Sequence, residues 1–155
     1  MKRLVELLVE KKLSISTCES FTAGLFAYEL GKIPGVSATY KGSVIAYQSE
    51  VKHTVLGIDP MFLDTYGVVS REVADQMAKT CQSMFASDIC ISFTGNAGPS
   101  VLEGKACGLW FACMRYRDQQ FDFEFQDSLE RNALQVHAVQ TMTSKLIDII
   151  RDMPN

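Results

Sequence analysis

The 155-residue chain is 47% hydrophobic and 21% charged, which fits a folded globular protein with a real core and excludes a disordered one. Its formal charge of −3 leaves no basic footprint for nucleic acid or for an acidic membrane surface. The opening MKRLVELLVEKKLS is broken by charge every few positions, so neither a signal peptide nor a membrane span is expected, and the expected compartment is the cytoplasm.

Helical spacing of Val5, Leu7 and Leu8 predicts an amphipathic helix over residues 2–12. LSISTCE alternates and predicts a short strand; TAGLFAYEL then resumes helical spacing to Gly31, and IPGVSATY follows as a loop. A second strand is expected over 41–47, closed by Tyr47. Short helices are expected over 49–57 and 60–66, each stopped by a glycine, Gly57 and Gly67. Ser70 is a good N-cap for REVADQMAKTCQSMFA, with Glu72 and Asp75 favourable in its first turn. DICISFTG is nearly continuous apolar with a glycine stop, the pattern of a strand covered on both faces. CGLWFACMRY and QQFDFEFQD predict two strands joined by a connector short enough for an antiparallel hairpin. In the second of these, Phe121, Phe123 and Phe125 alternate with Asp122, Glu124 and Gln126, as an edge strand with one wet face would. Residues 130–151 read as a long closing helix. Helices and strands intermingle, and no linker or repeat divides the chain. The expectation is one α/β domain over 1–155, a mixed sheet with helices on both faces.

Five cysteines without paired spacing read as free thiols, and His53 and His137 join no Cys/His cluster, so no metal site is expected. Two turns could carry chemistry. Ser20 and Thr22 lie at a strand-to-helix junction, where unpaired N–H groups attract anions; a serine there is equally an N-cap for its own helix. In SFTGNAGPS a buried strand runs into Gly95 and Gly98, which allow close approach to a ligand or simply make a connection. Neither turn has a dinucleotide-binding or P-loop pattern. In a third segment, YQSEVKH, Lys52 is a solvated surface residue unless the fold buries it beside Ser20. Burial would lower its pKa and give the serine the proton acceptor it needs. No Ser-His-Asp set and no GxSxG elbow is present.

Taken together, these segments resemble the C-terminal domain family of CinA, the competence/damage-inducible proteins, whose stand-alone members are nicotinamide-nucleotide amidases. The family's A-E-S-C-T-G-G stretch is matched by Cys18-Glu19-Ser20-Phe21-Thr22-Ala23-Gly24. GVSATYKGSVIAYQSEVKHTVLGI matches a second block and keeps Tyr47, Glu50 and Lys52. YGVVSREVADQMA matches a third, and TGNAGPSVLEGKACGLW a fourth, with Thr94, Gly95, Ala97, Gly98 and Pro99 retained. The resemblance spans nearly the whole chain.

It implies a three-layer α/β fold, a homodimer or larger homo-oligomer, and hydrolysis of the carboxamide of nicotinamide mononucleotide to nicotinate mononucleotide and ammonia, with no metal or organic cofactor. By position, Ser20 would attack the amide carbon and Lys52 would take its proton. Tyr47 and Thr94 would stand beside the reacting centre. Thr22, Gly24, Glu50, Gly95, Ala97, Gly98 and Arg131 would contact substrate. Backbone N–H groups near Thr22–Gly24 or Gly95–Ala97 would supply the oxyanion donors, and a helix start the phosphate donors. Several positions depart from the family pattern. Phe21 replaces a cysteine and its ring would fill part of the pocket; Ala23 replaces a glycine and its methyl would block backbone approach; Asn96 replaces an apolar residue. The glycine-rich segment after Pro99 is shortened, and Arg131 matches the family's first arginine only with two extra residues, leaving Gln135 at the second. The alternative is therefore a catalytically degenerate member that binds a nucleotide-like ligand or a protein partner without turnover.

Overall fold

The structure, a computed structural model, describes residues 1–153; the last two residues of the expected domain lie outside the described residues. Five strands, β1 (Ile15–Glu19), β2 (Tyr40–Ile45), β3 (Ile89–Gly95), β4 (Leu109–Tyr116) and β5 (Gln119–Gln126), form one sheet in the order β2-β1-β3-β4-β5. The first three in that order are parallel; β4 and β5 are antiparallel additions on one side. The hairpin pairs from Tyr116↔Gln119 outward, as its short connector demands.

Strand side chains alternate between faces, and the two apolar clusters follow that period of two. Ile89, Ile91 and Phe93 of β3, with Trp110, Ala112 and Met114 of β4, join helices α1 (Lys2–Glu10), α2 (Leu25–Gly31) and α6 (Arg131–Asp152). Cys90, Phe111 and Cys113 join α4 (Pro60–Tyr66) and α5 (Arg71–Phe85) on the opposite face. The result is the expected three-layer α/β sandwich. Ser70 caps α5 by accepting the Val73 N–H at 3.2 Å. β5 is an edge strand with its three phenylalanines half-buried on the α6 side. Trp110 is fully buried, stacks on Phe125 at 4.2 Å between ring centroids and donates its indole N–H to Asp127 at 2.7 Å. All five cysteines are free; four are buried and Cys107 is exposed.

Three of the boundaries that differ from the sequence reading lie around one place. α2 starts at Leu25, because Ala23 and Gly24 take positive φ values of 51° and 92° and cannot extend the helix backwards. β2 ends at Ile45, so Tyr47 does not close the strand. Ala46 still donates its N–H to Glu19 O at 2.8 Å, but the carbonyls of Ala46 and Tyr47 then accept from a side chain instead of a neighbouring strand. α3 (Ser49–Thr54) stops three residues before Gly57. The carboxyl ends of β1, β2 and β3 thus release Ser20, Ala46–Lys52 and Thr94–Gly95 toward one crevice, beside the point where the chain steps from β1 to either side. That is where open α/β sheets place ligand sites.

Candidate active site

Lys52 of α3 is 1% exposed, and its Nζ donates to Ser20 Oγ at 3.1 Å, to Ala46 O at 2.8 Å and to Tyr47 O at 3.5 Å. Ser20 is itself 8% exposed. All three acceptors are neutral, and no carboxylate lies within ion-pair distance of this amine among the described residues. Burial therefore lowers Lys52 from its usual 10.5 to about 8, with the charges of Cys18 and Glu103 opposing the shift. Deprotonated, the amine keeps two N–H groups for the carbonyls and turns one lone pair to the serine hydroxyl.

The turn that carries Ser20 is built from within. Ser20 N–H donates to Phe93 O at 3.0 Å, and its own carbonyl accepts from Ala23 N–H at 2.9 Å. Glu19, the last residue of β1 and fully buried, reaches past it to the start of α2. One carboxyl oxygen accepts from Gly24 N–H (3.1 Å) and Phe26 N–H (3.2 Å), the other from Ala27 N–H (2.8 Å) and the Thr17 hydroxyl (3.1 Å). The helix start is therefore already filled by the protein's own carboxyl group. The amides of Ala23 and Gly24 are taken, so these two do not supply oxyanion donors as expected, and this helix start does not hold a phosphate. In this turn the N–H groups of Phe21 and Thr22 remain without a hydrogen bond among the described residues.

The opposite wall comes from β3 and the loop after it. Thr94 donates its hydroxyl to Val68 O at 2.6 Å. Asn96, buried, holds the loop closed: its side-chain amide donates to Leu102 O (3.2 Å) and Lys105 O (3.4 Å) and accepts from Leu102 N–H (3.1 Å). The loop is then clasped to residues 66–69. Glu103 accepts from the N–H of Val68 (2.6 Å) and pairs with Lys105 (2.9 Å), which also donates to Val69 O (2.7 Å) and Tyr66 O (3.3 Å). Burial alone would raise Glu103, but the Lys105 and Val68 hydrogen bonds outweigh it and hold the carboxyl below its usual range.

Ser20, Lys52, Tyr47, Glu50, Thr94 and Gly95 line one cavity of about 420 Å³. A smaller one of about 200 Å³ adjoins it through Ser20 and Tyr47 and adds Ala97 and Arg131. Arg131 lies across its mouth, donating to Gly98 O at 2.8 Å and to the Tyr47 hydroxyl at 3.1 Å. Gly98 reaches the site only through that carbonyl. Thr22 and Gly24 line neither cavity, and the Thr22 hydroxyl is buried without a partner. Glu19, Asn96 and Glu103 were not expected at the site; buried acidic or amide side chains in turn sequences were the available signal.

Residues 1–150 match the CinA C-terminal domain. A Listeria monocytogenes protein named for competence-damage induction is 40% identical over 135 residues, 86% of this chain and 33% of that protein. A Geobacillus protein of the same name is 46% identical over 107 residues, 69% of this chain and 26% of that protein. The chain belongs to the CinA C-terminal domain family. It spans about a third of the length of the Listeria relative. Its fold is that of a CinA superfamily protein from Klebsiella pneumoniae (TM-score 0.95, 24% identity, covering 98% of this chain and 96% of that one). It is also that of a competence/damage inducible protein from Agrobacterium tumefaciens (TM-score 0.87, 29% identity, covering 94% of each).

Within this family pattern, the departures prove milder than the sequence implies. Phe21 borders the smaller cavity, as expected, but its ring is 3% exposed and packs against Trp110 at 5.9 Å, in the core. Ala23 is exposed and lines neither cavity, so its methyl blocks nothing; its cost is the left-handed φ. Asn96 replaces apolar packing with the three hydrogen bonds that organise the shortened loop. Gln135, at the second arginine position, donates to Phe21 O at 2.6 Å and ties α6 to the Ser20 turn.

Proposed function

We propose that this protein is an amidohydrolase that uses a Ser20–Lys52 dyad on a small carboxamide, with nicotinamide mononucleotide the first candidate from the family resemblance. The observation that carries the reading is the buried, carboxylate-free Lys52 amine at 3.1 Å from the Ser20 hydroxyl. In the first step Ser20 Oγ bonds to the amide carbon while its proton passes to Lys52 Nζ. The tetrahedral oxyanion takes a hydrogen bond from a backbone N–H the turn leaves open, that of Phe21, which borders the smaller cavity. Collapse breaks the C–N bond; Lys52 returns the proton to the leaving nitrogen, and ammonia departs. Water, deprotonated by the same amine, then cleaves the acyl–serine ester to give the carboxylic acid and restore Ser20. Tyr47 and Arg131 border the pocket and would face the rest of the substrate, with Arg131 the charge available to an anionic group.

A second reading, binding without turnover, draws support from one observation: Arg131 is engaged by Gly98 O and Tyr47, so a ligand anion must compete for it. Ammonia release from nicotinamide mononucleotide separates the two. The native protein should release it, and Ser20→Ala and Lys52→Ala should not. Equal background from all three ends the amidase claim for that substrate.

A further inference from the structure

The nucleophile turn holds a fully buried carboxyl group to which the chemistry above gives no part. Both Glu19 oxygens are engaged, each by two donors: three are backbone N–H groups from residues 24–27, and the fourth is the Thr17 hydroxyl. The bond to Gly24 closes residues 19–24 into a ring, and Ser20 is a member of that ring. The main chain of Glu19 is equally committed. Its carbonyl accepts the Ala46 N–H at 2.8 Å, and Ala46 O in turn accepts from Lys52 Nζ at 2.8 Å. Glu19 is therefore bonded on one side to the turn that presents the alcohol, and on the other to Ala46, the residue whose carbonyl anchors the amine.

A helix start is ordinarily open to an outside anion. Here the inside carboxyl group occupies it, so the α2 amides face the core instead of the substrate. An amide in place of the carboxyl cannot reproduce this: an Nε2 donor would meet N–H donors on one side, with no acceptor for it. The arrangement is that of a fixed strut, and a dyad with a 3.1 Å reach has little tolerance for its loss.

We infer that Glu19 is the positioning residue of the Ser20–Lys52 pair, holding nucleophile and base in register without touching substrate. The inference rests on the hydrolase reading for its consequence, but not for its test. Ser20 reactivity can be read with an aryl sulfonyl fluoride, followed by mass spectrometry of the Ser20 peptide. In that reaction the Ser20 Oγ–S bond forms, the S–F bond breaks, fluoride leaves and Lys52 takes the proton. Glu19→Gln should slow labelling about 10- to 100-fold. The pH at which labelling reaches half its maximum, set by Lys52, should stay in place, because the Glu19 carboxyl group bonds Thr17 and the α2 amides and makes no hydrogen bond to that amine. In amide hydrolysis the same variant should lower kcat and leave KM within about twofold.

Folded Glu19→Gln protein that labels at the native rate overturns the proposal, and so does one whose profile moves with Lys52, since that would make the carboxyl group an electrostatic participant. If Glu19→Gln fails to fold, Thr17→Val removes one of the four donors and keeps the side-chain volume. It should slow labelling about threefold, and a native rate overturns the proposal. Native protein that labels at Ser20 but hydrolyses no amide would sink the hydrolase reading and leave the positioning role intact.

Discussion

Two lysines near the crevice invite comparison: Lys105 has a 29% exposed side chain and Lys52 is 1% exposed. Lys105 donates to two main-chain carbonyls, Val69 and Tyr66, and to the Glu103 carboxylate. Lys52 donates to two main-chain carbonyls, Ala46 and Tyr47, and to the Ser20 hydroxyl. The third partner differs, and with it the chemistry. The carboxylate partner makes a clasp; an alcohol offers no counter-charge, so burial lowers Lys52 to about 8, which suits it to the proposed role of base. What distinguishes the two lysines is full burial without a carboxylate partner, a feature no single position of the sequence displays.

The strongest way to break the comparison is to remove the base. Lys52→Ala should lower carboxamide hydrolysis about 10³-fold, measured as ammonia release, whereas Lys105→Ala should keep most of the activity. The acid–base difference should also appear in pH profiles. Hydrolysis should climb about tenfold per pH unit and level off above about 8, where Lys52 is neutral. Stability has the same sign. Between about 8 and 10.5 the unfolded chain binds a proton the folded chain has released, so stability should rise with pH across that window. The full rise is about 3 kcal/mol by denaturant titration, and Lys52→Met should abolish it and melt higher than the native protein at pH 7.

Opening the clasp is the converse test. Glu103→Ala leaves Lys105 without a counter-charge and frees the Val68 N–H, and should cost about 1–2 kcal/mol at neutral pH. Because Glu103 is held below its usual range when folded, the native protein should lose that contribution as pH falls through the folded value, and the variant should show no such loss. The smallest effect concerns the turn itself. Ala23→Gly relieves a left-handed alanine and should stabilise the fold by about 0.5–1 kcal/mol, with hydrolysis unchanged because Ala23 lines neither cavity.

Much of the frame could be read from periodicity. The apolar run of β3, the alternating phenylalanines of β5 and the cap at Ser70 each report a local preference that the tertiary fold keeps. The site was legible in a different way. The grouping of Ser20, Tyr47, Lys52 and Thr94 came from family blocks, while the residues alone left Lys52 an exposed cation as readily as a buried one. The errors share a physical cause. The Phe21 ring meets Trp110 across the sheet end, and the positive φ values of Ala23 and Gly24 delay α2 to Leu25; neither is a matter of sequence spacing. Glu19 reads as an ordinary acidic residue at a strand end until the α2 amides are placed around it. Contacts made across a turn in three dimensions leave no period in one.

The packing of Phe21 against Trp110 has a practical consequence. Trp110 is the sole tryptophan of the chain, and its ring neighbour follows Ser20 directly in sequence. The indole is thus a built-in optical gauge of the nucleophile turn: its emission should register a ligand settling against Ser20 in unlabelled protein, in real time, under excitation selective for that single fluorophore.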